Sequence, residues 1–263
     1  MAITSRDQLI AALAGPYGWT GGFQKTASLS GTRPMSSWTH LSPFTLSNTA
    51  PTTTAVACDA DTPGAIAVPR VQQSGKSLYL AALSATSASV TTWMLYDRVA
   101  HVGGLVGNTL ATQPITGLAT PARCTSSVGV QAYLELYTSV GTGPNFAIFL
   151  KYTNTAGVAN RTGVIAPGFT GWLNNMMIPF QLAAGDLGVA SVQSLQFGNT
   201  STAAGNVGVT LARPLHTLPA NTAQQSNRRN YLTMPDLTTS PCLFFGYIGA
   251  TSTIAGTIST VEA

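Results

Sequence analysis

Charge is what this sequence has least of. It carries 12 Lys and Arg and 8 Asp and Glu in 263 residues, where an ordinary soluble domain has about 25% charged residues. An enzyme needs grouped ionisable side chains that tune one another's pKa values, and three His with eight carboxylates leave few ways to build such a group. No catalytic, cofactor-binding or metal-binding residues are assigned on this reading, and no small-molecule ligand is expected. The nine Arg and three Lys are scattered, with Arg228-Arg229 as the single adjacent pair. Nucleic-acid binders cluster cations to displace counterions from phosphates, so no nucleic-acid partner is expected. The pI near 9.1 reflects scarce acids. Arg228-Arg229 reads as a solvated loop pair.

Cysteine is equally sparse. Cys58, Cys124 and Cys242 are odd in number and far apart, without the paired spacing of zinc or redox sites. They read as buried, reduced thiols. No stretch approaches the 18 consecutive apolar residues of a membrane helix. The first 13 residues carry Asp7 and lack a continuous apolar segment, so no secretory signal is read there. Assembly in a cytoplasm is the expectation, and Asn160-Arg161-Thr162 and Asn199-Thr200-Ser201 are then chance glycosylation triplets. No fixed-period repeat is present.

What the chain has in place of charge is hydroxyl and small residues: 37 Thr, 22 Ser, 26 Gly and 15 Pro. Such a composition suits β-rich coat or adhesion proteins, whose surfaces are covered by neighbours. Ser5 lies three residues before Gln8, the spacing of a capping box, and Leu9, Ile10 and Leu13 follow at helical intervals until Gly15-Pro16. A helix of about ten residues is expected, too short to be stable alone. Tyr17 to Ala50 shows no clean periodicity and reads as an extended arm or long loops with at most short strands. The predicted division is residues 1–50, helix and arm, and residues 51–263, a β-sandwich.

Strand signals begin with Leu78–Leu83 and Thr91–Arg98, which look like a strand pair. Val128–Thr138 alternates strictly, placing Val128, Val130, Ala132, Leu134 and Leu136 on one face and Gln131, Tyr133, Glu135 and Tyr137 on the other. The turn residues Gly141–Pro144 lead into Asn145–Thr153, and the two runs read as a long hairpin whose outer face offers Tyr133, Tyr137, Phe149 and Lys151. Ser191–Phe197, Asn206–Arg213, Cys242–Ile248 and Ser252–Ser259 read as further strands. Met176–Phe180 and Arg213–Pro219 read as apolar loops. Strands without long helices between them argue for antiparallel pairing, an all-β antiparallel β-sandwich, jelly-roll-like, with a short N-terminal helix.

Four groups are candidates for chemistry. Asp97, Arg98 and His101 sit within five residues, but alternation separates Asp97 from Arg98 and no nucleophile is placed beside them, so a structural role is read. Gly103-Gly104 with Gly107 echoes a phosphate loop, yet no helix follows and a hairpin turn fits better. Asp59 and Asp61 lack a third carboxylate for calcium. A glycoside hydrolase would need two carboxylates roughly 5–10 Å apart, drawn from Asp59, Asp61, Asp97, Glu135, Asp186 and Asp236.

The set Trp93–Gly104, Val130–Thr138, Tyr152–Gly157 with Arg161-Thr162, and Val207–Arg213, together with the opening Ile3–Leu13, resembles a family of virion structural proteins of tailed bacteriophages. The resemblance spans roughly residues 78 to 260. It implies a particle component and no catalytic residue. The expected function is a capsid cement or decoration subunit, with the major capsid protein and copies of itself as partners and the virion as its location. A neck or tail component and a glycan- or receptor-binding module are the alternatives.

Overall fold

The structure, a computed structural model, describes residues 3, 5–36, 53–141, 146–167, 176–220, 226–230 and 235–263, with the side chains of 25–36, 220, 226–230 and 249–252 outside that description. Helix α1 spans Arg6–Ala14. Its capping box is formed as the spacing predicts: Gln8 N–H donates to Ser5 Oγ and Ser5 N–H to Gln8 Oε1, each at 3.2 Å. Leu9 is the buried residue of the helix and rests on Ala81 and Val261.

The strands are β1 (Gly18–Ser36), β2 (Val56–Ala57), β3 (Leu78–Ser87), β4 (Thr91–Leu105), β5 (Gln113–Pro114), β6 (Gln131–Thr138), β7 (Ile148–Asn154), β8 (Arg161–Ile165), β9 (Met177–Pro179), β10 (Val189–Phe197), β11 (Asn206–Ala220), β12 (Ser226–Asn230), β13 (Asp236–Thr238) and β14 (Leu243–Glu262). All the pairings are antiparallel. They form a ten-stranded sheet and a four-stranded sheet of order β5-β10-β7-β8. The all-β sandwich with a short N-terminal helix is therefore the architecture, with more strands than the eight of a jelly roll.

Several local readings are corrected. The segment after the helix carries a 19-residue strand, β1, paired with β14 from Gly18↔Val261 to Ser36↔Gly246. Its small, hydroxyl-rich composition gives little alternation to read, and its stability comes from β14. The rest of the predicted arm, 37–50, lies outside the described residues. Strands β3 and β4 do not pair. They run end to end along β14, which lies opposite Leu78–Ser87 with Ile254–Glu262 and opposite Thr91–Asp97 with Leu243–Gly249. Strands β11, β12 and β13 flank the same line on its other side, which puts Arg228-Arg229 in a strand rather than a loop. The two C-terminal runs, Cys242–Ile248 and Ser252–Ser259, are parts of one 20-residue strand.

The hairpin of β6 and β7 is also corrected. Strand β6 joins β11 and β9 in the large sheet, while β7 joins β10 and β8 in the small one. The reason is packing: Val130, Ala132, Leu134 and Leu136 face Ile148, Leu150 and Tyr152 in one buried cluster with Val192, Leu195, Val207, Val209 and Leu211. Two apolar faces in one layer would leave both exposed; in facing layers each covers the other. Val128 lies outside the strand and is 53% exposed. Of the apolar loops, Met177–Pro179 is edge strand β9, and Arg213–Pro219 continues β11. Pro214 and Pro219 fall beyond Ala212, the last β11 residue paired with β6, where β11 keeps a partner strand on one side only and a missing N–H is tolerated.

Candidate functional site

The Asp97–His101 stretch is where the chain spends its charge. A β-bulge decides its geometry. Strand β11 pairs Leu211 with Ala100 and Ala212 with Arg98, leaving Val99 as an extra residue in β4. Regular alternation would put Arg98 and His101 on opposite faces; the bulge shifts the register and brings both onto the face that carries Glu135 and Thr210. Asp97 stays on the other face, as alternation predicts. The result is two buried clusters, back to back across one strand.

On one face Arg98 Nη2 donates to Glu135 Oε1 at 2.9 Å, and its guanidinium lies 4.1 Å from the Phe244 ring centroid. Thr210 Oγ1 donates to Glu135 Oε2 and accepts from His101 Nδ1 at 2.8 Å. Tyr137 Oη donates to Glu135 Oε2 at 3.1 Å and lies 3.0 Å from His101 Nε2. Burial pushes the His101 pKa down to about 3, against the opposing pull of Glu135, so the ring is neutral. Burial and the neighbouring carboxylate push the Tyr137 phenol well above its ordinary value. Gly208 makes the arrangement possible: a Cβ there would lie 2.5 Å from Val102 O and 2.8 Å from the His101 ring.

On the other face Asp97 is the centre. Arg123 grips both carboxylate oxygens, at 2.8 and 2.9 Å, and Arg213 Nη2 reaches Oδ2 at 3.2 Å. Cys242 N–H donates to Oδ1 at 2.9 Å. Arg123 uses every donor it has: Nε to Cys58 O and Nη2 to Arg98 O, both at 2.7 Å, and Nη1 to Thr238 Oγ1 at 2.9 Å complete the set. One loop side chain thus ties together β4, β13 and the residue following β2. Thr238 is held at φ 65, a left-handed conformation unfavourable for a β-branched residue, and its hydroxyl is clamped by Arg123.

Asp97 and His101 are fully buried, and Glu135 and Arg98 are 1% and 2% exposed. Each carboxylate is paired with arginine and saturated by further donors. Such sites hold geometry; they present neither a free acid nor a base to a substrate. The remaining candidates are engaged more loosely, Asp236 by the Thr238 N–H at 2.6 Å. Asp59 and Asp61 are engaged by Arg70. Asp186 accepts from Tyr152, from Asn154 Nδ2 at 2.7 Å and from Arg161 Nε at 2.9 Å, and these donors hold its carboxyl down at about 2. Among the described residues no group of three or more His, Cys, Asp or Glu could hold a metal ion, and no helix is long and apolar enough to cross a membrane. Gly103 and Gly104 lie inside β4, and Gly107 lies in the connection that carries the chain to β5 of the other sheet. That stretch changes sheets, so the hairpin-turn reading is corrected; Gln113 holds Val106 there through two side-chain bonds of 2.9 and 2.8 Å.

Sequence reasoning found Asp97, Arg98, His101 and Glu135 but missed Arg123, Arg213, Tyr137 and Thr210 as their partners. The available signal was scarcity: with so few charges, each one on an apolar strand requires an opposite charge elsewhere.

No family model matches the chain, and no curated protein matches it. Among solved structures, the infectious bursal disease virus VP2 subviral particle aligns over 93% of this chain and 80% of its own at 9% identity and a TM-score of 0.22. The T=1 particle derived from infectious bursal virus aligns over 93% and 77% at 8% identity and a TM-score of 0.18. Similarity at this level carries no argument.

Proposed function

We propose that this chain is a virion structural protein, a cement or decoration subunit bound to a capsid lattice built by a major capsid protein. The observation that carries the reading is where the charge goes. The two deeply buried strand carboxylates, Asp97 and Glu135, are held in arginine clamps, and in a chain with so few charges much of the surface is left to Ser, Thr and backbone groups. A surface of that kind pays little desolvation cost when a neighbouring subunit covers it, because uncharged hydroxyls are cheaper to bury than ions. Exposed hydroxyl pairs, Thr20 with Ser259 at 2.8 Å and Ser84 with Thr257 at 2.7 Å, are examples on the long sheet. The saturated state of Asp97, Glu135 and Asp186 supports a non-enzymatic role over the glycoside-hydrolase alternative. The resemblance of the Trp93–Gly104 and Val207–Arg213 segments to tailed-phage particle proteins supports the same reading.

The test is the copy number of this chain in purified particles, measured by quantitative mass spectrometry against the major capsid protein. A decoration subunit gives on the order of hundreds of copies in a ratio fixed by lattice symmetry. A handful of copies per particle contradicts the decoration reading in favour of a neck, tail or adhesin role, and absence from particles overturns the virion assignment.

A further inference from the structure

Two of the three cysteines meet at the bulge. Strands β2 and β14 occupy the same edge of β4, one after the other: β2 pairs Ala57 with Ala100, and β14 begins at Leu243 opposite Asp97. The residues at the junction are Cys58, whose N–H donates to Val99 O at 3.0 Å, and Cys242, whose carbonyl accepts from Arg98 N–H at 2.8 Å. They stand opposite successive β4 residues, as neighbours in one strand would, although they come from distant parts of the chain. Alternation from Ala57 and from Leu243 turns both side chains toward the Arg98 face. Cys58 Sγ donates to Val56 O at 4.0 Å, the neighbouring Cys242 thiol favours the Cys58 anion, and both residues are buried. Cys124 lies apart, in the sandwich core.

We propose that Cys58 and Cys242 are a latent redox pair that closes into a disulfide when the chain meets an oxidant of the peroxide class, fastening β2 to β14 across the bulge. The two residues bond adjacent β4 backbone groups, Val99 O and Arg98 N–H, which brings their backbones side by side, and a disulfide requires a Cα separation of about 4.4–6.8 Å. The thiolate of Cys58 attacks one peroxide oxygen and the O–O bond breaks, giving a sulfenic acid and hydroxide, which takes the thiol proton to become water. The Cys242 sulfur then attacks Cys58, the S–O bond breaks, and the hydroxyl leaves as a second water with the Cys242 proton. Two thiols and one peroxide yield one disulfide and two waters, with two electrons passed to peroxide. Cys58 is taken as the attacking group because the neighbouring Cys242 thiol, Arg98 and Arg123 favour its anion and lower its pKa despite burial. Burial makes closure slow, so the pair stays reduced in a cytoplasm and closes once the protein leaves it. The inference does not depend on the proposed place in a particle.

The experiment incubates the purified full chain with hydrogen peroxide, denatures it with an alkylating reagent present, and maps the peptides by mass spectrometry without reduction. The expected product is a Cys58–Cys242 linked peptide, two hydrogens lighter than its parts, with Cys124 alkylated and the link reversed by dithiothreitol. The oxidised protein unfolds several degrees higher than the reduced one, a shift that Cys58→Ala and Cys242→Ser each abolish and Cys124→Ser retains. Alkylation of all three thiols, a link to Cys124, or over-oxidation of Cys58 without a link overturns the proposal. The mapping on the unmodified sequence decides even where a variant fails to fold.

Discussion

The two halves of the large sheet are stabilised by different means. Where β4, β6, β9 and β11 run, the sheet is covered by β5, β10, β7 and β8, and branched aliphatic side chains from both layers fill the space between. Where β1, β3, β12, β14 and the Thr91–Leu95 end of β4 run, no second sheet lies opposite among the described residues. That half, the ribbon, depends on a few large side chains, with Phe23, Trp93, Phe245 and Tyr247 gathering Leu80, Leu83, Ile254 and Ile258 around them. Its strands approach closely through small residues: a Cβ on Gly256 would meet Ser84 O at 2.0 Å and the Phe23 ring at 2.7 Å, so the glycine makes room for the aromatic ring that covers it. A sandwich closes on itself, whereas the ribbon has no second sheet opposite it among the described residues.

The comparison breaks most severely if β1 is dispensable. Deleting residues 1–36 strips one side of β14 along its length, leaving it β3 and β4 on the other, and removes Phe23 from the ribbon core. The expected outcome is loss of soluble, cooperatively unfolding protein, while deletion of residues 1–16 leaves a folded chain because α1 buries Leu9 alone. Circular dichroism melts of the two truncations check this, and a cooperative melt of the longer deletion would show that the arm is peripheral.

Next in size is Asp97→Ala. It leaves Arg123 and Arg213 facing each other in a buried site without their counter-charge, and about 3–5 kcal/mol of stability is expected to go. Denaturant titration should show a lower midpoint at unchanged slope. Phe23→Ala, in the ribbon, should cost about 3 kcal/mol through the cavity it leaves. Retention of the midpoint in either variant would remove that half's anchor from the account.

Acid gives a smaller and graded effect. His101 is held neutral down to about pH 3 in the fold, whereas an unfolded histidine binds its proton near 6.5. Between those values the unfolded chain binds more protons, so stability is constant above about 6.5 and falls as pH drops toward 3. Asn at position 101 should flatten the upper part of that slope. An NMR titration placing the His101 midpoint near 6.5 would contradict the buried, neutral ring.

What was legible in the sequence follows the same division. Strands β6, β7 and β10 and helix α1 could be read because alternation or capping is a local property: Ile148, Leu150 and Tyr152 mark a face without knowledge of what covers it. Strand β1 and the continuity of β14 could not, since Thr, Ser, Gly and Ala fit exposed, buried and loop positions alike, and such strands are defined by their partners. Nearness in sequence does not make β3 pair with β4 or β6 with β7, because β14 lies beside the first two and the second two belong to facing sheets. The site was half legible. Asp97, Arg98, His101 and Glu135 stand out as charges on apolar strands, but the bulge at Val99 that groups three of them has no sequence mark, and Arg123 sits in a loop of ordinary composition.

The central claim is that the sandwich is self-sufficient and the ribbon is not, and native-state hydrogen exchange on the isolated chain tests it most directly. The account predicts that amides of β6, β7, β10 and the first half of β11 exchange only through global unfolding, while those of β1, β3 and the Ile254–Glu262 part of β14 open at lower free energy as one unit. Equal protection of the two halves, or a ribbon that outlasts the sandwich, would contradict it.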